Sequence, residues 1–184
     1  MLISNEEIKN ILEKIVDDEK KEHDIEFDFY YIGIAKYFKK IEEIKNIKIN
    51  RLSKIINGLI LFNSGGLEDS EDKMIVLFNS VLQNLNQKEL IFALYHEIGH
   101  AIYNSKEYLN LGKYDDFIYA LDYEYCQLQE GKYMTNGVYH DSLSYEILAD
   151  KYAIKKTREF FQKNPKYKCD EKWLNEKEKR ILDR

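Results

Sequence analysis

Proline occurs once in the 184 residues, cysteine twice and histidine four times. Cys126 and Cys169 have no CxxC spacing and give no disulfide framework. Basic residues are outnumbered, and a net charge of −5 argues against direct nucleic-acid binding. Long apolar runs are absent, so no segment reaches the length of a membrane span. Glu6, Glu7 and Lys9 come before any stretch that would serve as the core of a secretory signal. These absences predict a soluble cytoplasmic protein with neither a membrane nor a nucleic-acid partner. The composition, 44% hydrophobic and 33% charged, suits one globular domain over residues 1–184. The 15 tyrosines are read as amphipathic packing residues.

Two of the four histidines stand in His96-Glu97-Ile98-Gly99-His100, an HExxH, inside the nearly wholly apolar stretch Leu90–Tyr103. Such a flank predicts a buried helix. Residues four apart on a helix share a face, so both imidazoles are able to reach one ion. Zinc takes imidazole nitrogen readily and keeps an open position in catalytic sites. Glu97 adjoins the first candidate ligand, where a carboxylate is able to take a proton from metal-bound water. Two buried histidines that merely satisfy each other, or a carbonyl, fit the same pattern. A metal ion answers the desolvation cost of three polar groups on a buried turn more fully.

Along the chain, the capping-box form at Ser4–Glu7 opens an amphipathic helix to about Lys21. The charge run Asp17–Asp24 reads as a solvated face and exit loop, with His23 at the surface. A second helix is expected over Ile34–Lys45, with Ile34, Tyr37, Phe38, Ile41 and Ile44 inward. Residues 26–56 as a whole fit two short helices, or a helix and a strand. Leu59–Phe62 and Lys73–Asn79 read as strands that pair antiparallel through a loop at 63–72, in which Asn63-Ser64-Gly65-Gly66 reads as a turn; the second strand is a candidate sheet edge beside a cleft. Connecting structure follows at 80–86, then the site helix from about 87 to Asn104, started by Asn86. Residues 105–140 form an acidic insertion, either a lid over the cleft or a solvated surface helix. A long helix then runs from Ser142 or Ser144 to Gln162, stopped at Asn164-Pro165. On it Glu146 and Asp150 lie one turn apart beside Ala149 and Ala153. Two carboxylates so placed repel, which favours a face that meets something cationic. Residues 166–184 are expected as a helical appendage, capped by Asp170, with Trp173 and Leu174 packing back.

With HEIGHA at 96–101 and Glu146-Ile147-Leu148-Ala149-Asp150 on a later helix, the chain resembles zinc metallopeptidases of the gluzincin type. Within that clan its small size, and the strand ending in Phe78-Asn79 before the site helix, look like the ImmA/IrrE group. Those are intracellular proteases, often encoded by prophages or mobile elements, that act on repressors. The resemblance covers about 74–104 and 142–154. It implies an α+β, minimal zincin-like fold: a small antiparallel or mixed sheet packed on the HExxH helix and a second Glu-bearing helix, with extra helices at both ends. It also implies a zinc-dependent endopeptidase acting on an intracellular protein or peptide substrate. One zinc ion would be held by His96, His100 and Glu146, with water in the fourth place. Glu97 would be general base, and Asp150 would accept the second ring N–H of a ligand histidine. On helix geometry alone Asp150 as third ligand, with Glu146 outside it, stays open. The oxyanion donor is sought among His140, Tyr139 and Tyr145, with Tyr123 a weaker choice. Cys126 as a fourth ligand is the least favoured option. Two other readings stand beside this one: a non-catalytic zinc-binding or interaction module, and a zinc hydrolase of a small substrate.

Overall fold

The computed structural model describes residues 5–52, 54, 66–69, 72–82, 86–104, 144–167 and 170–182. The elements that bear on the site are, in chain order, α1 (Asn5–His23), β1 (Asp28–Ile32), α2 (Ile34–Ile44), β2 (Gly66–Asp69), β3 (Met74–Phe78), α3 (Asn79–Leu82), α4 (Gln87–Asn104), α5 (Ser144–Lys163) and α6 (Glu171–Leu182). The fold is mixed α and β, mostly helical, with a three-stranded sheet of order β1-β3-β2. β1 runs parallel to β3, with Asp28 opposite Met74 and Ile32 opposite Phe78. β2 runs antiparallel to it, with Gly66 opposite Leu77 and Asp69 opposite Met74.

Met74-Ile75-Val76-Leu77-Phe78 has no polar residue, which suits a strand covered on both faces. All five residues are buried. Alternation of side chains sends them to two cores. Met74, Val76 and Phe78 pack with Tyr37, Phe38 and Ile41 of α2. Ile75 and Leu77 pack with Leu12, Ile15 and Val16 of α1 and with Leu90, Ile91, Leu94 and Ile98 of α4. Each such side chain contributes about 1.5–3 kcal/mol by leaving water. The layers are therefore α2, then the sheet, then α4 with α1 and α5 around it. β3 leads straight into α3.

Several expectations are corrected here. β3 is the central strand, not the edge, because the parallel β1 covers its other side; β2 is an edge among the described residues. The antiparallel partner lies at 66–69, inside the span read as a loop, whose glycine pair suggested a turn rather than a strand. Leu59–Phe62 lies outside the described residues, as does the 105–140 insertion. The region after Phe78 is helical at Asn79–Leu82. Ile44 is exposed, at the end of α2, while Tyr37, Phe38 and Ile41 are buried as expected. α1 and α2 both end without glycine. Asp24 and Asn46 take positive φ (51° and 49°), and Ile25 N–H and Ile47 N–H donate back to the Lys20 and Glu42 carbonyls, the Schellman closure of a helix end.

The charge run at the end of α1 is also not simply solvated. Glu19 and Lys156 of α5 are each about 4% exposed and form an ion pair at 2.9 Å. Lys156 Nζ also lies 2.7 Å from Glu22. The Tyr152 hydroxyl donates to Glu19, and His23 Nε2 lies 2.9 Å from the same hydroxyl. His23 is thus half-buried rather than a surface residue. The charge of α1 is satisfied by α5, which ties the N-terminal helix to the Glu146-bearing helix. Among the described residues no helix is long and apolar enough to cross a membrane. Lys156→Met leaves Glu19 buried and without its cation, and is expected to cost about 3–5 kcal/mol of stability. Urea denaturation measures it; a loss under about 1 kcal/mol would show that the pair is not a buried strut.

Candidate metal centre

α4 starts at a reciprocal cap. Asn86 Oδ1 accepts from the Glu89 N–H at 3.3 Å, and the Glu89 carboxylate accepts from the Asn86 N–H at 3.0 Å. This start sets the register of the helix, which is apolar almost all round because it is buried between the sheet and α5. In its second half stands Gly99. A Cβ there would lie 3.0 Å from Ala149 Cα and 3.3 Å from the Ala149 carbonyl oxygen. The backbones of α4 and α5 therefore touch at Gly99 and Ala149. His96 and His100 stand three residues before and one after Gly99; Glu146 and Asp150 stand at the same offsets from Ala149. The crossing consequently sets the imidazole pair against the carboxylate pair.

His96 Nε2 lies 3.0 Å from His100 Nε2 and 3.1 Å from Glu146 Oε2. His100 Nε2 lies 3.6 Å from the same oxygen. The rings meet edge to face at 89°, with centroids 4.6 Å apart. Behind the cluster, His96 Nδ1 lies 2.9 Å from Asp150 Oδ1. A carboxylate only accepts, so His96 donates through Nδ1–H, and in the neutral ring Nε2 then presents its lone pair to the cluster. Asp150 occupies the outer position and Glu146 the inner one.

The charges respond to this packing. Burial works against the cationic form of His96, but the Asp150 and Glu146 carboxylates outweigh it and hold the imidazole well above its usual range. Burial dominates at His100 and pushes it down. Burial opposes ionisation of Glu146, yet His100 and His96 hold it well below the usual carboxylate range. Glu97, 9% exposed, is pushed up to about 7. Burial is the main cause, and the Glu146 and Glu68 charges add to it, while His96 and the Glu68 backbone N–H oppose it.

The donor set fits a zinc ion. Ligands about 2.0–2.1 Å from zinc at tetrahedral angles stand about 3.3–3.4 Å from one another, and the three atoms here are separated by 3.0, 3.1 and 3.6 Å. Two nitrogens and a carboxylate oxygen lie within 3.6 Å of one another. A second group of potential ligands, Glu19, Glu22 and His23, also lies close together. There the Lys156 ammonium is already paired with both carboxylates, so the fit is poorer.

Of the residues singled out in the sequence, His96, Glu97, His100, Glu146 and Asp150 are brought together. His140, Tyr139, Tyr123 and Cys126 lie outside the described residues. Tyr145 lies in the first turn of α5, and its side chain is outside the described set. Sequence reasoning missed β2: Gly66 and Glu68 adjoin Glu97, and the only sign of them was a glycine pair read as a turn. Comparison with family models, with curated proteins and with solved structures finds no match.

Purified protein loaded with zinc and dialysed is expected to retain one ion per chain. Glu146→Ala should lose it, and Asp150→Ala should weaken binding about 10–100-fold. Metal analysis with a competing chelator checks this. If Asp150→Ala loses more affinity than Glu146→Ala, their inner and outer positions are reversed.

Proposed function

We propose that the chain is a zinc-dependent peptidase that hydrolyses peptide bonds in a protein or peptide substrate. The observation that carries this reading is the convergence of His96 Nε2, His100 Nε2 and Glu146 Oε2 within 3.6 Å of one another, with a buried carboxylate, Glu97, in the next residue. The resemblance to gluzincins of the ImmA/IrrE type supports an intracellular regulatory protein, such as a repressor, as substrate.

His96, His100 and Glu146 would hold the ion, leaving one position for water or substrate. Zinc bound there supplies Lewis acidity toward the scissile carbonyl and lowers the pKa of coordinated water. Asp150 fixes the tautomer and ring plane of His96, so its Nε2 stays directed at the centre. Glu97 takes one proton from the attacking water as the new C–O bond forms. It returns that proton to the amine nitrogen as the C–N bond breaks, so the carboxylate is regenerated.

β2 supports a peptide rather than a small molecule as substrate. It is a sheet edge among the described residues and it adjoins Glu97, and a strand edge offers backbone donors and acceptors to an extended chain. A structural zinc site has no use for a base beside an open position, which separates the peptidase from a passive binding module.

Glu97→Gln is expected to keep the zinc and lower hydrolysis about 10²–10⁴-fold. A peptide library incubated with the zinc-loaded protein and analysed by mass spectrometry provides the assay. Equal cleavage by Glu97→Gln and the parent chain would exclude Glu97 as base.

A further inference from the structure

The wall behind Glu97 is β2. A Cβ placed on Gly66 would lie 2.5 Å from Glu97 Oε1, 3.0 Å from Glu97 Cδ and 3.0 Å from Leu77 Cδ2. No real contact is that short, so the Glu97 carboxylate occupies the volume that any other residue at 66 would fill. Gly66 is buried, and its register opposite Leu77 on the central strand fixes its depth in the sheet. Two residues on, the Glu68 backbone N–H donates to the same carboxylate. One strand therefore supplies both the space and a donor for a side chain that belongs to another element. A glutamate has three rotatable bonds, and burial alone does not choose among its rotamers. The strand does.

We propose that Gly66 is a positioning residue: β2 is a backstop that holds the Glu97 carboxylate beside His96 and Glu146, and the absent Cβ is what lets it lie there. The inference rests on Glu97 acting as base. It extends the site to a strand remote in sequence from the HExxH and from Glu146. Gly66 acts through Glu97 and touches neither metal nor substrate. Adding one methyl group at 66 forces the carboxylate to a different rotamer or a different depth while leaving His96, His100 and Glu146 in place. Misplacement of a reacting group by about 1 Å costs on the order of 100-fold in rate.

The test compares Gly66→Ala with Gly33→Ala, a glycine whose added Cβ meets nothing closer than Asn79 Oδ1 at 3.6 Å. Zinc stoichiometry and KM should match the parent chain in both. The kcat of Gly66→Ala on a cleaved library peptide should fall about 10–100-fold, and that of Gly33→Ala should not. In the Glu97→Gln background Gly66→Ala should cost nothing further. Gly66→Ala with Leu77→Val relieves the crowding on the core side only, so the loss must persist there. A second readout needs no activity: the ¹³C carboxyl resonance of Glu97 in zinc-free protein, assigned by its absence in Glu97→Gln, should shift in Gly66→Ala and stay put in Gly33→Ala. An unmoved resonance in folded Gly66→Ala overturns the proposal. So does a full kcat in that variant. If the parent chain cleaves nothing, the peptidase reading fails, and the resonance still decides whether β2 positions the carboxylate.

Discussion

The contact of Gly99 with Ala149 is the constraint on which the rest depends. Two helices approach to backbone distance only where neither carries a bulky side chain, and here that point lies between the two members of each polar pair, three residues after the first and one before the second. Around it, the same close approach puts imidazoles within about 3–4 Å of carboxylates. Were the crossing point shifted by a residue on either helix, each polar pair would rotate about 100° off the shared face, and the three donor atoms would separate. The apolar flanks of α4 hold the crossing in place from the other side, against β3 and α1. Local pattern, packing and site geometry are thus one arrangement rather than three.

A polar cluster this deep carries a desolvation penalty. Its parts offset the penalty in different ways. Asp150 and Glu146 flank His96, whose proton affinity rises accordingly, while His100 resists charge. Glu146 stays ionised against its burial because both imidazoles face it. Glu97 is pushed the other way: burial, with the Glu146 and Glu68 charges, raises its proton affinity against the pull of His96. On the proposed reading these environments would make Glu146 the ligand, Asp150 the orienter and Glu97 the proton carrier. The other buried charge cluster, on α1 and α5, is built on the opposite principle. Its own lysine closes it, and it serves to attach a helix.

The helices were the legible part of the sequence. HExxH inside an apolar run, Asn86 with Glu89 at the start of α4, and Pro165 after α5 are local signals, and each helix lies where they point. Glu146 and Asp150 were legible as a carboxylate pair beside small residues, although their inner and outer positions required the crossing to be seen. The sheet was less legible. A five-residue apolar run says that a strand is covered on both faces but not by what, so the parallel β1 and the central place of β3 could not be deduced. β2 was hidden because Gly65-Gly66 carries the composition of a turn, and the reason for a glycine at 66 is a side chain 31 positions away. The buried Glu19–Lys156 pair was illegible for the same reason: each residue alone looks like a solvated charge, and only the approach of two helices encloses them.

The most direct test of the account is anomalous diffraction at the zinc edge from crystals of zinc-loaded protein. The account predicts one peak, about 2.0–2.2 Å from Nε2 of His96, Nε2 of His100 and a carboxylate oxygen of Glu146, with Asp150 bonded to the far nitrogen of His96. A zinc peak at Glu19, Glu22 and His23 instead, or no ordered zinc between α4 and α5, would contradict it.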